Sequence, residues 1–205
     1  MPNFSDEAEA SAGAKIDLRR AVLTRRRSLP AKRRAAAARR VQATLTDLVR
    51  DLRPATVTGY VPIGAEPGGA ELPEVLRTAL PPDARLLLPV LLPDLNLDWA
   101  GYAGPGTLRV AGRGIREPMT DRLGAGAVGT AELIVVPALA VDRTGVRLGR
   151  GGGSYDRALA RCGPAALTVA LVYDEELIEH VPAQPHDRRV RAVVTPSGGL
   201  RRLSA

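Results

Sequence analysis

The sequence predicts an α/β domain built on a largely parallel sheet. Three observations carry that expectation. Short apolar runs, Ala55–Val61, Leu133–Pro137 and Ala166–Val172 among them, alternate with segments of helical length, and such alternation favours parallel strands joined by crossovers. The run Leu133–Pro137 has no polar alternation, as in a strand covered on both faces. At 205 residues the chain is long enough for one such domain with a substantial core, and two would be cramped. Only 3% of its residues are aromatic, so Ala, Leu and Val must build most of that core.

In order along the chain, residues 1–13 are rich in Ala, Ser and Glu and are expected to be a disordered tail ahead of a single domain over 14–205. From Ala14 to about Arg27, Ile16, Ala21 and Leu23 mark a helix, with Lys15 and Arg19 four apart on one face. Pro30 suits the first turn of a second helix running to Leu48 or Leu52. Ala55–Val61 reads as a strand and Pro62–Gly69 as the loop after it. Leu72–Leu80 is expected as a short helix, Arg85–Pro89 as a strand, and Leu97–Tyr102 as a strand entering an irregular Gly104–Pro118 region. Leu133–Pro137 should feed a glycine loop, with the helix Ser154–Arg161 behind it and strands at Ala166–Val172 and Ala192–Thr195. Loops at the carboxyl ends of parallel strands are where such folds place their sites, and Pro62–Gly69 and Gly145–Gly153 both belong there. No internal repeat is evident.

Composition excludes several classes. The longest apolar candidate, Leu86–Leu92, is interrupted by Pro89 and falls far short of a membrane span. The first fourteen residues have no apolar core of a signal peptide. Cys162 stands alone, so no internal disulfide can form. A cytoplasmic, soluble protein is expected. The net charge of +7 is concentrated at the N-terminal end: residues 1–50 hold 12 Lys/Arg against 5 Asp/Glu, and the remainder is balanced at 17 of each. Arg25-Arg-Arg27, Lys32-Arg-Arg34 and Arg39-Arg40 could neutralise nucleic-acid phosphates, but no aromatic platform accompanies them. Solvated helix faces are the favoured account, and a basic entrance would also steer polyanionic ligands. His180 and His186 lack zinc-site spacing, and Ser154 lacks the G-x-S-x-G elbow.

The segment Arg147-Leu-Gly-Arg-Gly-Gly-Gly-Ser-Tyr-Asp156 packs four glycines, two arginines and an aspartate into ten residues. Glycines let backbone N–H groups approach a ligand closely, Arg147 and Arg150 offer forked donors for phosphate oxygens, and Asp156 offers the hard oxygen that a phosphate-bound magnesium ion prefers. A tight structural turn is the competing account. Neither the dinucleotide fingerprint nor the P-loop fits, because Ser154 stands where a glycine is needed and the loop has no lysine.

The stretch from Val136 to Arg157 resembles the signature of the 5-formyltetrahydrofolate cyclo-ligase family, roughly V-P-G-L-A-F-D-x-x-G-x-R-L-G-x-G-G-G-Y-Y-D-R. Lys15-Ile-Asp-Leu-Arg19 is similar to the family's K-x-x-x-R, Gly59–Glu66 to its strand-then-glutamate segment, Gly114-Ile-Arg-Glu-Pro118 to its G-I-x-E-P, and Leu177–Thr195 to its closing segment. These elements lie in family order over about residues 15–196. The resemblance implies a three-layer fold like that of the ribose-5-phosphate isomerase and CoA-transferase group. It also implies ATP- and magnesium-dependent conversion of 5-formyltetrahydrofolate to 5,10-methenyltetrahydrofolate.

By the same resemblance Lys15, Arg19, Arg147, Leu148, Gly149, Arg150, Gly151, Gly152, Gly153 and Tyr155 would contact ATP, with Arg150 the catalytic residue near the formyl oxygen. Val61, Glu66, Arg150, Gly151, Gly152, Gly153 and Ser154 would contact the reduced folate, polyglutamylated or not. Asp156 and Asp187 would bind magnesium. Tyr155 equally suits a core position at a helix start, Asp142 a bracing role, and Trp99 either buried structure or folate stacking. A monomer with no membrane or nucleic-acid partner is expected. Ser154 replaces the first tyrosine of the family's pair, and Pro67-Gly68-Gly69 follows Glu66 where a threonine usually ends the segment. Both departures fall on the folate side, so a relative acting on another metabolite is one alternative. A basic nucleic-acid-binding protein with a structural glycine loop is the other.

Overall fold

In the computed structural model, which describes residues 4–203, two long helices open the chain: α1 (Phe4–Ser28) and α2 (Ala31–Leu52). Helix α1 begins ten residues before the expected Ala14, so the tail expected at residues 1–13 is helical from Phe4 onward; residues 1–3 lie outside the described residues. Strong helix formers such as Ala8, Ala10 and Ala12, with acids near a helix start, extend it without any apolar stripe. Pro30 is the N-cap of α2 rather than part of its first turn. On α2, Ala37, Val41, Leu45, Leu48 and Val49 form one buried face, the spacing of an amphipathic helix against a sheet. Arg53 then stops it in the left-handed region, its N–H returning to the Val49 carbonyl.

Strand β1 (Thr56–Thr58) is followed by α3 (Leu72–Ala79), β2 (Arg85–Leu91) and β3 (Leu97–Gly101). A small hairpin comes next, β4 (Leu108–Val110) and β5 (Arg116–Pro118), within the stretch expected to be irregular. Strand β6 (Leu133–Pro137) has the expected limits. It does not run into the glycine loop: the short strands β7 (Ala140–Asp142) and β8 (Arg147–Leu148) intervene as an antiparallel hairpin. The turn of that hairpin is built by Asp142, whose Oδ1 accepts from the Thr144 N–H and hydroxyl and from the Val146 N–H. At Gly145 (φ +84) a Cβ would come within 2.2 Å of the Val190 carbonyl oxygen. Helix α4 (Ser154–Leu159), β9 (Leu167–Leu171), β10 (Leu177–Ile178), β11 (Ala192–Thr195) and the unexpected β12 (Gly199–Arg202) complete the chain.

Seven strands form the main sheet in the order β12-β11-β9-β6-β1-β2-β3. The five inner strands pair in parallel, and β12 and β3 are antiparallel at the two edges. Strand β2 runs through Pro89, two residues beyond the last residue it pairs with on β1. Pro89 still stands opposite Trp99 of β3, but on its other side the β1 ladder has ended, so no β1 residue is paired with it.

Alternate residues of each inner strand face opposite layers. Leu133 and Val135 pack with Val41, Leu45, Leu72 and Leu76 beneath α2 and α3. Ile134 and Val136 pack with Leu87, Trp99, Ala158 and Leu159 on the side of α4. Each fully buried leucine contributes about 1.5–3 kcal/mol. Helix α1 belongs to neither layer. Its Leu18, Val22 and Leu23 cover the small β10-β7-β8 sheet through Leu139, Ala140, Val146 and Leu148. Arg26 of α1 bonds Glu176 through Nε (2.9 Å) and Nη2 (2.6 Å) and the Ala138 carbonyl (2.7 Å), all within the interior. That anchor lays the middle of α1, at Arg19, beside the glycine loop.

Candidate active site

A cleft of about 490 Å³ opens where β1, β2 and β6 end. Carboxyl-terminal loops converge there in open α/β sheets. Every residue expected at the site lines it: Lys15 and Arg19 from α1, Val61 and Glu66 from the loop after β1, Arg147 and Leu148 on β8, the run Gly149–Asp156, and Asp187.

The loop's geometry comes from its residues. Arg147 is almost wholly buried and bonds Asp156 Oδ1 (3.0 Å) through Nη2, with its guanidinium over the Tyr155 ring. Asp156 Oδ1 also accepts from the Arg188 N–H (3.1 Å). Gly151 has φ +102, a backbone that side chains rarely adopt. Among the described residues, the N–H groups of Arg150, Gly151, Gly152 and Gly153 have no protein acceptor, so four donors remain for a ligand. Helix α4 is only six residues long, and these loop donors, rather than a helix dipole, are the electrophilic element.

Three carboxylates and three cations pair across the cleft. Lys15 Nζ meets Asp187 Oδ2 at 2.5 Å, and the same oxygen accepts the Gln184 N–H (2.7 Å). Arg147 holds Asp156. Arg150 gives Nε (3.1 Å) and Nη2 (2.9 Å) to Glu66 Oε1, while Glu66 Oε2 accepts the Ile63 N–H (2.9 Å). Arg19 Nε donates to the Gly149 carbonyl (2.9 Å). Burial pushes the Tyr60 and Tyr155 phenols up, so both stay neutral.

Other residues line the cleft that sequence reasoning left without a role. Leu91, Leu95, Leu97 and Ile115 form an apolar wall, and Arg116 of β5 stands beside it. The G-I-x-E-P resemblance includes Ile115 and leaves Arg116 at its variable position, and it implies a role for neither. Arg157 Nη2 ties the loop to the β2–β3 turn through the carbonyls of Gly152 (2.9 Å) and Leu95 (2.7 Å). Two open assignments are resolved as structure. Asp142 spends both oxygens on backbone and Thr144 donors, and Trp99 of β3 is fully buried in the core on the α4 side and does not line the cleft.

Among the described residues no three His, Cys, Asp or Glu side chains gather as a metal cage. Asp156 and Asp187 instead offer two carboxylates on one cleft, a donor set that fits magnesium carried in by a phosphate ligand and completed by water. The basic stretches of α1 and α2 are partly consumed internally, Arg26 by Glu176 and Arg33 by Glu175. Among the described residues no helix is long and apolar enough to cross a membrane.

The model of the 5-formyltetrahydrofolate cyclo-ligase family matches residues 11–196. A 5-formyltetrahydrofolate cyclo-ligase of Mycolicibacterium smegmatis is 45% identical over 195 residues, covering 93% of this chain and 97% of that protein. The one of Escherichia coli K12 is 34% identical over 116 residues, covering 55% and 64%. Among solved structures, the 5,10-methenyltetrahydrofolate synthetase of Aquifex aeolicus superposes with a TM-score of 0.73 at 30% identity, covering 93% of each chain. That of Mycoplasma pneumoniae, at 18% identity and a TM-score of 0.69, covers 87% of this chain and 96% of its own and shares the fold.

Proposed function

Because the chain belongs to the 5-formyltetrahydrofolate cyclo-ligase family, we propose that its cleft binds ATP and 5-formyltetrahydrofolate side by side and joins N10 to the formyl carbon. The formyl oxygen of the substrate is a poor leaving group. It attacks the γ-phosphorus of ATP, the bond to the β-phosphate oxygen breaks, and ADP leaves. The iminium phosphate so formed is electrophilic at carbon. N10 of the same molecule attacks it, N10 loses its proton, and the C–O bond breaks to release phosphate and the 5,10-methenyl product. Both nucleophiles act at short range within a held ligand, so positioning supplies much of the rate.

The observation that best supports this reading is the juxtaposition on one cleft of four unpaired loop N–H donors, the cations Lys15, Arg19, Arg147 and Arg150, and the buried carboxylate Glu66. Lys15, Arg19 and the loop from Arg147 to Gly153 would hold the triphosphate, with Leu148 and Tyr155 against the nucleotide. Arg150 would stabilise charge on the transferring phosphoryl group. Glu66 would accept pterin N–H groups, with Val61 and Ser154 beside them. Magnesium would screen the triphosphate charge, held by Asp156 and Asp187. All these residues come from one chain, so a monomer suffices. The test is absorbance at the methenyltetrahydrofolate band, with protein, 5-formyltetrahydrofolate and magnesium, with and without ATP. An ATP-dependent rise abolished by chelator is expected. Absence of that rise in protein that binds ATP would redirect the reading to a different metabolite.

A further inference from the structure

We propose that Arg116 binds the glutamate carboxylates of the folate and so sets the preference of the cleft for glutamylated substrate. This assignment rests on the folate reading above.

Arg116 differs from the other cleft cations in being unspent. Lys15 is bound to Asp187 (2.5 Å), Arg19 to the Gly149 carbonyl (2.9 Å), Arg147 to Asp156 (3.0 Å) and Arg150 to Glu66 (2.9 Å). Among the described residues the Arg116 side chain has no hydrogen bond or ion pair. It is exposed and lines both the cleft and the neighbouring hollow under α3. The acid of that hollow, Glu74, is already bound by Arg77 (2.5 Å) and by the Tyr102 hydroxyl (3.3 Å).

The β4–β5 hairpin holds Arg116 in place. Glu117, next in sequence, is buried and accepts the Leu91 N–H at 2.9 Å, pinning β5 to the end of β2. The chemistry of the lining then follows that of the ligand. A reduced folate has a pterin with N–H donors, an apolar aminobenzoyl ring, and one or more glutamates. The cleft offers the buried acceptor Glu66, the wall of Leu91, Leu97 and Ile115, and the unpaired guanidinium of Arg116. Forked pairing to a carboxylate is what an arginine does best. At an exposed position its effect should be moderate and sensitive to salt.

The test compares wild type with R116A, R116E and R116K on three substrates: 5-formyltetrahydrofolate, its triglutamate, and 5-formyltetrahydropteroate, which lacks glutamate. R116A should raise KM for the glutamylated substrates roughly five- to tenfold, and R116E should raise it further. R116K should recover part of the loss. KM for the pteroate, KM for ATP and kcat should stay unchanged. An equal rise in KM for the pteroate would make Arg116 a structural residue and overturn the assignment, as would a change under twofold for the triglutamate. No turnover of any of the three by wild type would overturn the folate reading and this assignment together.

Discussion

Arg150 reaches across the cleft and gives both Nε and Nη2 to a single oxygen of Glu66, at 3.1 and 2.9 Å. Glu66 is nearly buried whereas Arg150 is half exposed, so the guanidinium is the partner with open space to move into. On the proposed reading, a pterin that takes the Glu66 carboxylate would free Arg150 for the phosphoryl group.

If Arg150 acts as proposed, on charge that develops in the transition state, Arg150→Ala should lower kcat by about 100-fold while changing KM for ATP far less. Arg150→Lys should recover only part of the rate, since an ammonium cannot reproduce the fork. Steady-state kinetics with each substrate varied separates the cases. An effect confined to KM would make Arg150 a plain binding residue.

Asp156 shares one oxygen between Arg147 and the Arg188 N–H. Asp156→Asn keeps an acceptor for both donors and should fold, but it leaves the buried Arg147 guanidinium without its counter-charge and should lower the melting temperature. Loss of the anionic oxygen should raise the magnesium concentration needed for half-maximal rate by about tenfold, near 1.4 kcal/mol. Magnesium titration at saturating ATP reads this directly, and a wild-type curve would remove Asp156 from the metal site.

The buried pair Arg26–Glu176 makes a prediction about stability. Glu176→Ala strands a guanidinium that is only 3% exposed, which should cost about 3–5 kcal/mol. Replacing both partners, as in Arg26→Met with Glu176→Leu, removes the stranded charge and should restore much of the loss. Urea unfolding of the single and double variants distinguishes a desolvated pair from a surface one. Similar midpoints for wild type and Glu176→Ala would show the pair to be energetically idle. Because this pair also anchors α1, the single variant should weaken the ATP binding that the proposed function assigns to Lys15 and Arg19.

Local signals carried most of what the sequence revealed. Lys15 and Arg19 lie on one helical face because they are four residues apart. Arg147, the glycines and Asp156 meet at one turn from β8 into α4 because they are neighbours in the chain, and Leu133–Pro137 is a strand buried on both sides. The partners across the cleft had no such signal. Glu66 and Arg150 are 84 residues apart, and Arg26 and Glu176 are 150 apart. No periodicity links them. The β7–β8 hairpin escaped notice because its strands have three and two residues, and its turn depends on the Asp142 side chain. Helix α1 was cut short by reading an apolar stripe where alanine propensity was enough to extend it.

All four tyrosines, Tyr60, Tyr102, Tyr155 and Tyr173, have phenols raised above their ordinary value, with burial the largest cause in each. An unfolded tyrosine ionises near pH 10. Below that pH both states keep the proton and the stabilisation is complete. As pH rises past about 10 the unfolded chain releases protons that the folded chain retains, so stability must fall. The Tyr60 and Tyr173 hydroxyls donate to the Pro67 and Ala65 carbonyls, at 3.4 and 3.1 Å. A phenolate cannot donate, so ionisation would also loosen the loop that holds Glu66. Tyrosinate absorbance should therefore appear only with loss of native ellipticity, and the urea midpoint should drop from about pH 10 upward. Tyr60→Phe should flatten part of that slope. Full titration of all four phenols near pH 10 in a protein that keeps its native ellipticity would mean that they open to solvent within the folded state.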